Sequence, residues 1–366
     1  MIPAVPSLVI AIAALATLFA LRRQLGQALR GRRNLKLIDS FRPEAFGLVP
    51  RAELDASRAA PPPSAELTAR RQGIADAAWA GDFQPAAAYV AEAGNDWDER
   101  WSRLELLQYL AGEDETWLAK WRADQPDNAD AATLHASLLL HNAWKVRGGG
   151  FANQVPPERM AKFKQMLPAS MEAARAAAEL APENPGPWVV MITAARGLRY
   201  SHEQFQPLWA GLQARTPLHV DGHWQAMQYW CAKWHGSNEA MMQFAEAALA
   251  ASPEGSALAG TYLHALHELE GRKAALPSGP RAVQLLDRVR VCLLALPADD
   301  ERLPALRHLL AHFLLRAEQY DAALEQFQLL GRWCGAYPWT DAADPIAEFD
   351  RGRALAAQRS SRSPAE

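Results

Sequence analysis

The run His141-Asn142-Ala143-Trp144-Lys145-Val146-Arg147-Gly148-Gly149-Gly150-Phe151 holds the residues best suited to chemistry. Arg147 followed by Gly148, Gly149 and Gly150 can cradle an anion. The guanidinium supplies charge, and a helix opening near Glu158 would offer free backbone N–H groups. No GK[ST] follows the glycines, so a nucleotide P-loop is excluded. The plainer reading is structural: Arg147 braces the loop through carbonyls or a carboxylate, and the glycines permit tight turning.

His219, Asp221 and His223 sit close together, and His308 and His312 are one helical turn apart. A histidine pair at that spacing can ligate zinc. Nothing supplies the glutamate of an HExxH motif, and no cysteine lies nearby. His264 and His267 are equally unsupported, so ordinary helix histidines are expected at all these positions. No Gly-x-Ser-x-Gly and no dinucleotide fingerprint is present. The expectation is therefore no catalytic residue, no metal and no cofactor. The alternative is a ligand- or metal-binding, hydrolase-like site near Gly148–Gly150 with His219 and His223.

A third group is aromatic: Trp224, Tyr229, Trp230 and Trp234. Trp224 and Trp234 share a helical stripe with Met227 and Cys231, which predicts burial in the core. Tyr229 and Trp230 lie off that stripe and are the expected surface residues. The partner-binding set is then Trp144, Arg147, Gly148, Gly150, Tyr229 and Trp230.

These residues need helices to position them. A proline opens a unit at Pro182, Pro217 and Pro253, and a glycine closes its first helix at Gly197, Gly236 and Gly271. That period of about 35 residues is the length of a helix–turn–helix solenoid unit. Apolar stripes such as Met241, Phe244, Ala245, Ala248 and Leu249 can be covered only by neighbouring units. Ser201 to Gln204 has the spacing of a capping box. The glycines after Arg147 must stop one helix, and Pro156-Pro157 start the next, through Leu180. Nothing reads as a strand. The fold expected is all-α, a right-handed α-solenoid of tetratricopeptide-like helix pairs, preceded by one transmembrane helix.

That anchor is Ile2 to Leu21, which has no charged residue and is followed by Arg22, Arg23, Arg30, Arg32, Arg33 and Lys36. About 20 apolar residues can cross a bilayer as a helix. The positive-inside rule then places the C-terminal side in the cytoplasm, with a periplasmic domain as the alternative. Residues 1–38 form the anchor and basic segment, and 39–64 a proline-rich linker. Residues 65–358 form the repeat domain, and 359–366 a frayed tail. Phe41, Phe46 and Leu48 offer the linker a way to dock.

AWKVRGGGFANQV (Ala143–Val155) resembles the AW-x-x-RG-x-G segment of a bacterial family of unknown function with tetratricopeptide-like helices. YWCAKWHGSNEAMMQFA (Tyr229–Ala245) is similar to that family's WxG segment. The matching residues are Trp144, Arg147, Gly148 and Gly150, then Trp234, Gly236, Phe244 and Ala245, over roughly residues 104–271. The resemblance implies a helical-repeat fold and no particular reaction. The family more often has a proline near Lys233 and a tyrosine near His235.

Composition bounds the rest. The 366 residues are 49% hydrophobic and 22% charged, with a net charge of −3 and three separated cysteines. That is a globular chain without the dense basic patch of a nucleic-acid binder and without a disulfide framework. Thirteen tryptophans suit wedging between stacked helices. The function expected is a single-pass inner-membrane scaffold whose repeat domain binds a protein or peptide partner.

Overall fold

The computed structural model describes residues 41–149, 154–234 and 236–361. All the long elements among them are helices, fifteen α-helices joined by short connections and four 3-10 turns. The anchor segment lies outside the described residues. Among those described, no helix is long and apolar enough to cross a membrane.

The described chain falls into two compact units, divided after Pro61 and after Leu303. The larger holds α1 (Ala65–Trp79), α2 (Gln84–Ala91), α3 (Trp97–Glu113), α4 (Thr116–Asp124), α5 (Ala129–Arg147) and α6 (Pro157–Leu180). It continues with α7 (Gly186–Leu198), α8 (His202–Arg215), α9 (Val220–Trp230), α10 (Asn238–Ala251), α11 (Gly260–Gly271) and α12 (Pro280–Leu294). From α5 to α8 and from α9 to α11, each helix packs on the next. In addition α3, α5, α7, α9 and α11 pack on one another in succession. Every second helix thus joins one continuous layer, an arrangement compatible with an α-solenoid.

Local chemistry sets the boundaries. Asp96, Asn128, Ser201 and Ser237 each cap a helix by accepting a backbone N–H three residues on. Ser201 and Gln204 complete the expected capping box. The α5 helix ends at Arg147 because Gly148 takes φ 77°, in the left-handed region.

The repeat glycines have separate roles, contrary to their expected common one. Gly197 lies inside the last turn of α7, and an added Cβ there would meet Phe163 and Leu167 of α6. The left-handed residue that ends α7 is Arg199. A Cβ on Gly236 would fall on the backbone of Trp230, whereas Gly271 faces open space. Gly236 and Gly197 therefore serve close approach.

Two apolar clusters lie among the described residues of α1 to α9. One gathers Phe83, Trp117 and Trp121 with Leu104 and Leu134. Phe83 and Trp121 stack there at 6.0 Å. The other joins Trp101, Phe163, Leu167, Ile192, Phe205 and Tyr229 across α3 and α5 to α9.

The smaller unit comprises residues 41–61 with α13 (Leu303–Arg316), α14 (Tyr320–Leu330) and α15 (Pro345–Arg359). The stretch expected as a linker is docked here over 41–61. Its prolines do break helices, but extended backbone still offers hydrogen bonds. Asp55 donates its N–H to Arg332 O at 2.8 Å and accepts the Cys334 N–H at 2.9 Å. Arg353, fully buried, donates to Val49 O at 2.6 Å, and Gln328 donates to Phe46 O at 2.7 Å. Leu48 and Leu54 are buried. Residues 65–358 are accordingly shared between two units, and α15 extends into the stretch expected as tail.

Candidate functional site

The α5, α7, α9 and α11 helices and the turn after α9 line a half-open cavity of about 300 Å³. Trp144, Arg147 and Gly148 come from the end of α5 and Arg196 from the end of α7. Trp224 and Gln228 come from α9, Lys233 and Trp234 from the turn, and Glu268 from α11.

Two indole rings organise the site. Trp144 and Trp234 meet edge to face, centroids 5.5 Å apart at 84°. Both guanidinium groups lie over both rings. Arg147 Cζ is 5.5 Å from the Trp144 centroid and 5.2 Å from that of Trp234. Arg196 Cζ is 4.7 and 5.4 Å from the same two. A cation over an indole face gains about 0.5–1 kcal/mol when exposed and about 2 when desolvated. Such contacts hold two like charges together here.

Burial, then the neighbouring Arg147 charge, pushes Arg196 down to about 10. Burial also lowers Arg147. Glu268 is the carboxylate of the lining, and its Oε1 accepts from Gln228 Nε2 at 2.8 Å and Lys233 Nζ at 2.5 Å. Despite its burial those partners hold its carboxyl below the usual range. With Arg147, Arg196 and Lys233 positive and Glu268 negative, the lining carries three charges against one. The indole N–H groups of Trp144 and Trp234 are buried and meet no acceptor among the described residues. The cavity is walled by aromatic surface from Trp144, Trp224 and Trp234.

Arg147 also braces its own turn, as one reading of the sequence expects. Its Nη1 donates to Gly148 O at 2.9 Å, while Arg159 Nε donates to Val146 O at 2.6 Å. Gly150 lies outside the described residues.

The aromatic assignments change places. Tyr229 is fully buried, not at the surface: its ring stacks on Phe205 at 3.7 Å and its hydroxyl donates to Tyr200 O at 3.0 Å. Trp230 is half-buried against His202 and Phe205 and does not line the cavity. Trp224 and Trp234, expected in the core, line it instead. The physical reason is that α9 stops at Trp230, so Trp234 leaves the helical stripe and swings with the turn. Arg196 went unassigned, although an Arg-Gly pair ends both α5 and α7, at Arg147-Gly148 and Arg196-Gly197.

The histidines serve structure. His219 is fully buried and caps α9, accepting the Gly222 N–H on Nδ1 at 3.2 Å. His223 Nδ1 pairs with His219 O at 2.8 Å. Burial pushes His219 down to about 3, so its 3.5 Å approach to Asp98 joins a neutral ring to that carboxyl group. Neither residue lines the cavity. His308 pairs through Nδ1 with the Trp339 indole N–H at 2.9 Å and through Nε2 with Ala59 O at 3.0 Å. Among the described residues no cluster of His, Cys, Asp or Glu is arranged to hold a metal ion.

Compared with protein-family models, curated proteins and solved structures, the chain matches none.

Proposed function

We propose that this chain is a helical-repeat recognition module that binds a protein or peptide partner. The right-handed, tetratricopeptide-like superhelix and the likeness to the bacterial repeat family belong to the same reading. So does tethering to the inner membrane by Ile2–Leu21, with the folded units on the cytoplasmic side. The observation that carries it is the cavity at Trp144, Arg147, Arg196 and Trp234, built where four helices of one layer end side by side. Repeat layers of this kind offer a partner anchor points along successive helices. A concave, aromatic site with a few convergent polar groups is the ordinary form of a binding site. His219 and His223, expected for a hydrolase-like site, do not line the cavity, so no second reading is favoured.

The test is crosslinked capture from native membranes, wild type beside Arg147→Ala and Trp234→Ala. A partner bound by wild type and lost from both variants supports the reading. The same partners at the same yield from all three proteins would remove the cavity from recognition. An alkaline phosphatase fusion after residue 361, inactive in cells, is the outcome expected of the cytoplasmic placement.

A further inference from the structure

The smaller unit is made of two stretches, residues 41–61 and 304–366, with the whole larger unit between them in sequence. The first is a strap holding two 3-10 turns and no α-helix, and the second is its seat. Their bonding runs chiefly through the strap's backbone. Phe46 O, Val49 O, Arg58 O and Ala59 O pair with Gln328, Arg353, the Gly335 N–H and His308 at 2.6–3.0 Å. Asp55 adds a parallel bridge to Trp333. Main-chain pairing of this kind supplies affinity, and side-chain contacts supply specificity.

Seat and strap touch most closely at Gly335. A Cβ there would fall 2.5 Å from Ala56 O and 2.5 Å from Arg58 N, both strap atoms. The glycine keeps a slot open for another stretch of backbone. Charge fixes the register. Arg51 pairs with Asp350 at 3.2 Å and Glu53 with Arg332 at 2.7 Å, so two opposite charges two residues apart each meet their complement.

The seat is also one that can open. Of residues 41–61 only Leu48 and Leu54 are buried. Withdrawal of the strap exposes those leucines and leaves Arg353 and Asp350 paired with each other at 2.7 Å. Interfaces of that polar kind belong to contacts that form and part. Pro61, Pro62 and Pro63, which lead from the strap to the larger unit, are exposed and have no N–H to bond. The seat reads backbone, two leucines and an Arg-x-Glu pair, and the strap of an identical chain meets every one of these requirements.

We infer that the strap is exchangeable, and that a second copy of this chain inserts its residues 41–61 into the seat of the first. The exchange is reciprocal, so it closes as a two-fold dimer in which each smaller unit is built from both chains. It makes no use of the Trp144–Trp234 cavity.

Residue 52 can report which seat a strap occupies. Ala52 is exposed between the two ion-paired residues, and Ala52→p-benzoylphenylalanine places a photocrosslinker there. The full chain carrying it is coexpressed with a wild-type copy bearing a C-terminal tag, and the cells are irradiated. The tag is expected to recover a two-chain adduct joined from residue 52 to the stretch 328–353 of the tagged copy. Gly335→Ala in the tagged copy should cut that adduct about fivefold or more by filling the slot. Leu48→Asp in the probe-bearing copy should do the same and leaves the tagged seat intact. Adducts confined to the probe-bearing chain would show each strap seated at home and overturn the inference. A two-chain adduct that survives both variants would overturn it too, as would the absence of any adduct to 328–353.

Discussion

The guanidinium carbon of Arg196 lies 4.7 Å from the ring centroid of Trp144. Arg196 is 7% exposed, so it forgoes most of its hydration in exchange for the indole face. A double-mutant cycle should reveal that exchange. Arg196→Leu, Trp144→Leu and the double variant, measured by urea unfolding, are expected to give a coupling of about 1–2 kcal/mol. A cycle that closes to zero would show that the indole contributes only its apolar bulk.

The glycines that look equivalent in the repeat should respond differently to alanine. Gly236→Ala places a methyl group on the Trp230 backbone, which cannot step aside. A loss of about 1–3 kcal/mol is expected, typical of overpacking. Gly271→Ala, in open space at the end of α11, should be neutral or stabilising by up to about 1 kcal/mol. Equal costs at the two positions would contradict the packing described for Gly236.

Acidic residues in the larger unit make stability depend on pH. Burial, followed by the Asp221 charge, holds the Glu105 carboxyl well above the usual carboxylate range, and Arg302 does not offset this. Asp221 is raised by burial as well. A carboxyl raised on folding adds stability below its unfolded pKa and loses it as pH rises through the folded one. Glu105→Gln should therefore melt a few degrees higher than wild type at pH 8 and show no gain at pH 4. The opposite ordering would mean that Glu105 is stabilised as an anion.

The smaller unit should weaken on the acid side. Burial pushes His308 down to about 4, only partly offset by the hydrogen bond to Ala59 O, and its ring also pairs with the Trp339 indole N–H. A depressed histidine contributes stability above its unfolded pKa and loses it as pH falls through the folded value. Between pH 6.5 and about 4 that amounts to about 3 kcal/mol. His308→Gln, which does not titrate, should flatten unfolding midpoints over that window. An unchanged slope would assign the acid sensitivity to other groups.

Much of the helical order was legible in the sequence because it rests on local rules. Ser201 and Gln204 form a capping box from adjacent residues, and Gly148 stops α5 through its own backbone. The cavity was half legible. Trp144 and Arg147 stand beside a conspicuous glycine run, whereas Arg196 joins them only through the packing of α5 on α7. Trp234 escaped because the helical stripe was extended past Trp230, and nothing before Gly236 marks the stop. The docking of residues 41–61 was legible only as an offer from Phe41, Phe46 and Leu48, and its seat was not. Its backbone partners lie at Arg332, Cys334 and Arg353, far along the chain, and proline content reports only which local conformations are barred.

That docking also imposes an order on synthesis. Residues 41–61 leave the ribosome before the larger unit, and the helices that receive them leave after it. The larger unit, encoded between them, has all its own partners in hand before the smaller one can close. Contacts of such sequence separation are slow to form. A chain released just past residue 303 should carry a finished helical layer and a strap, residues 41–61, still waiting for its seat.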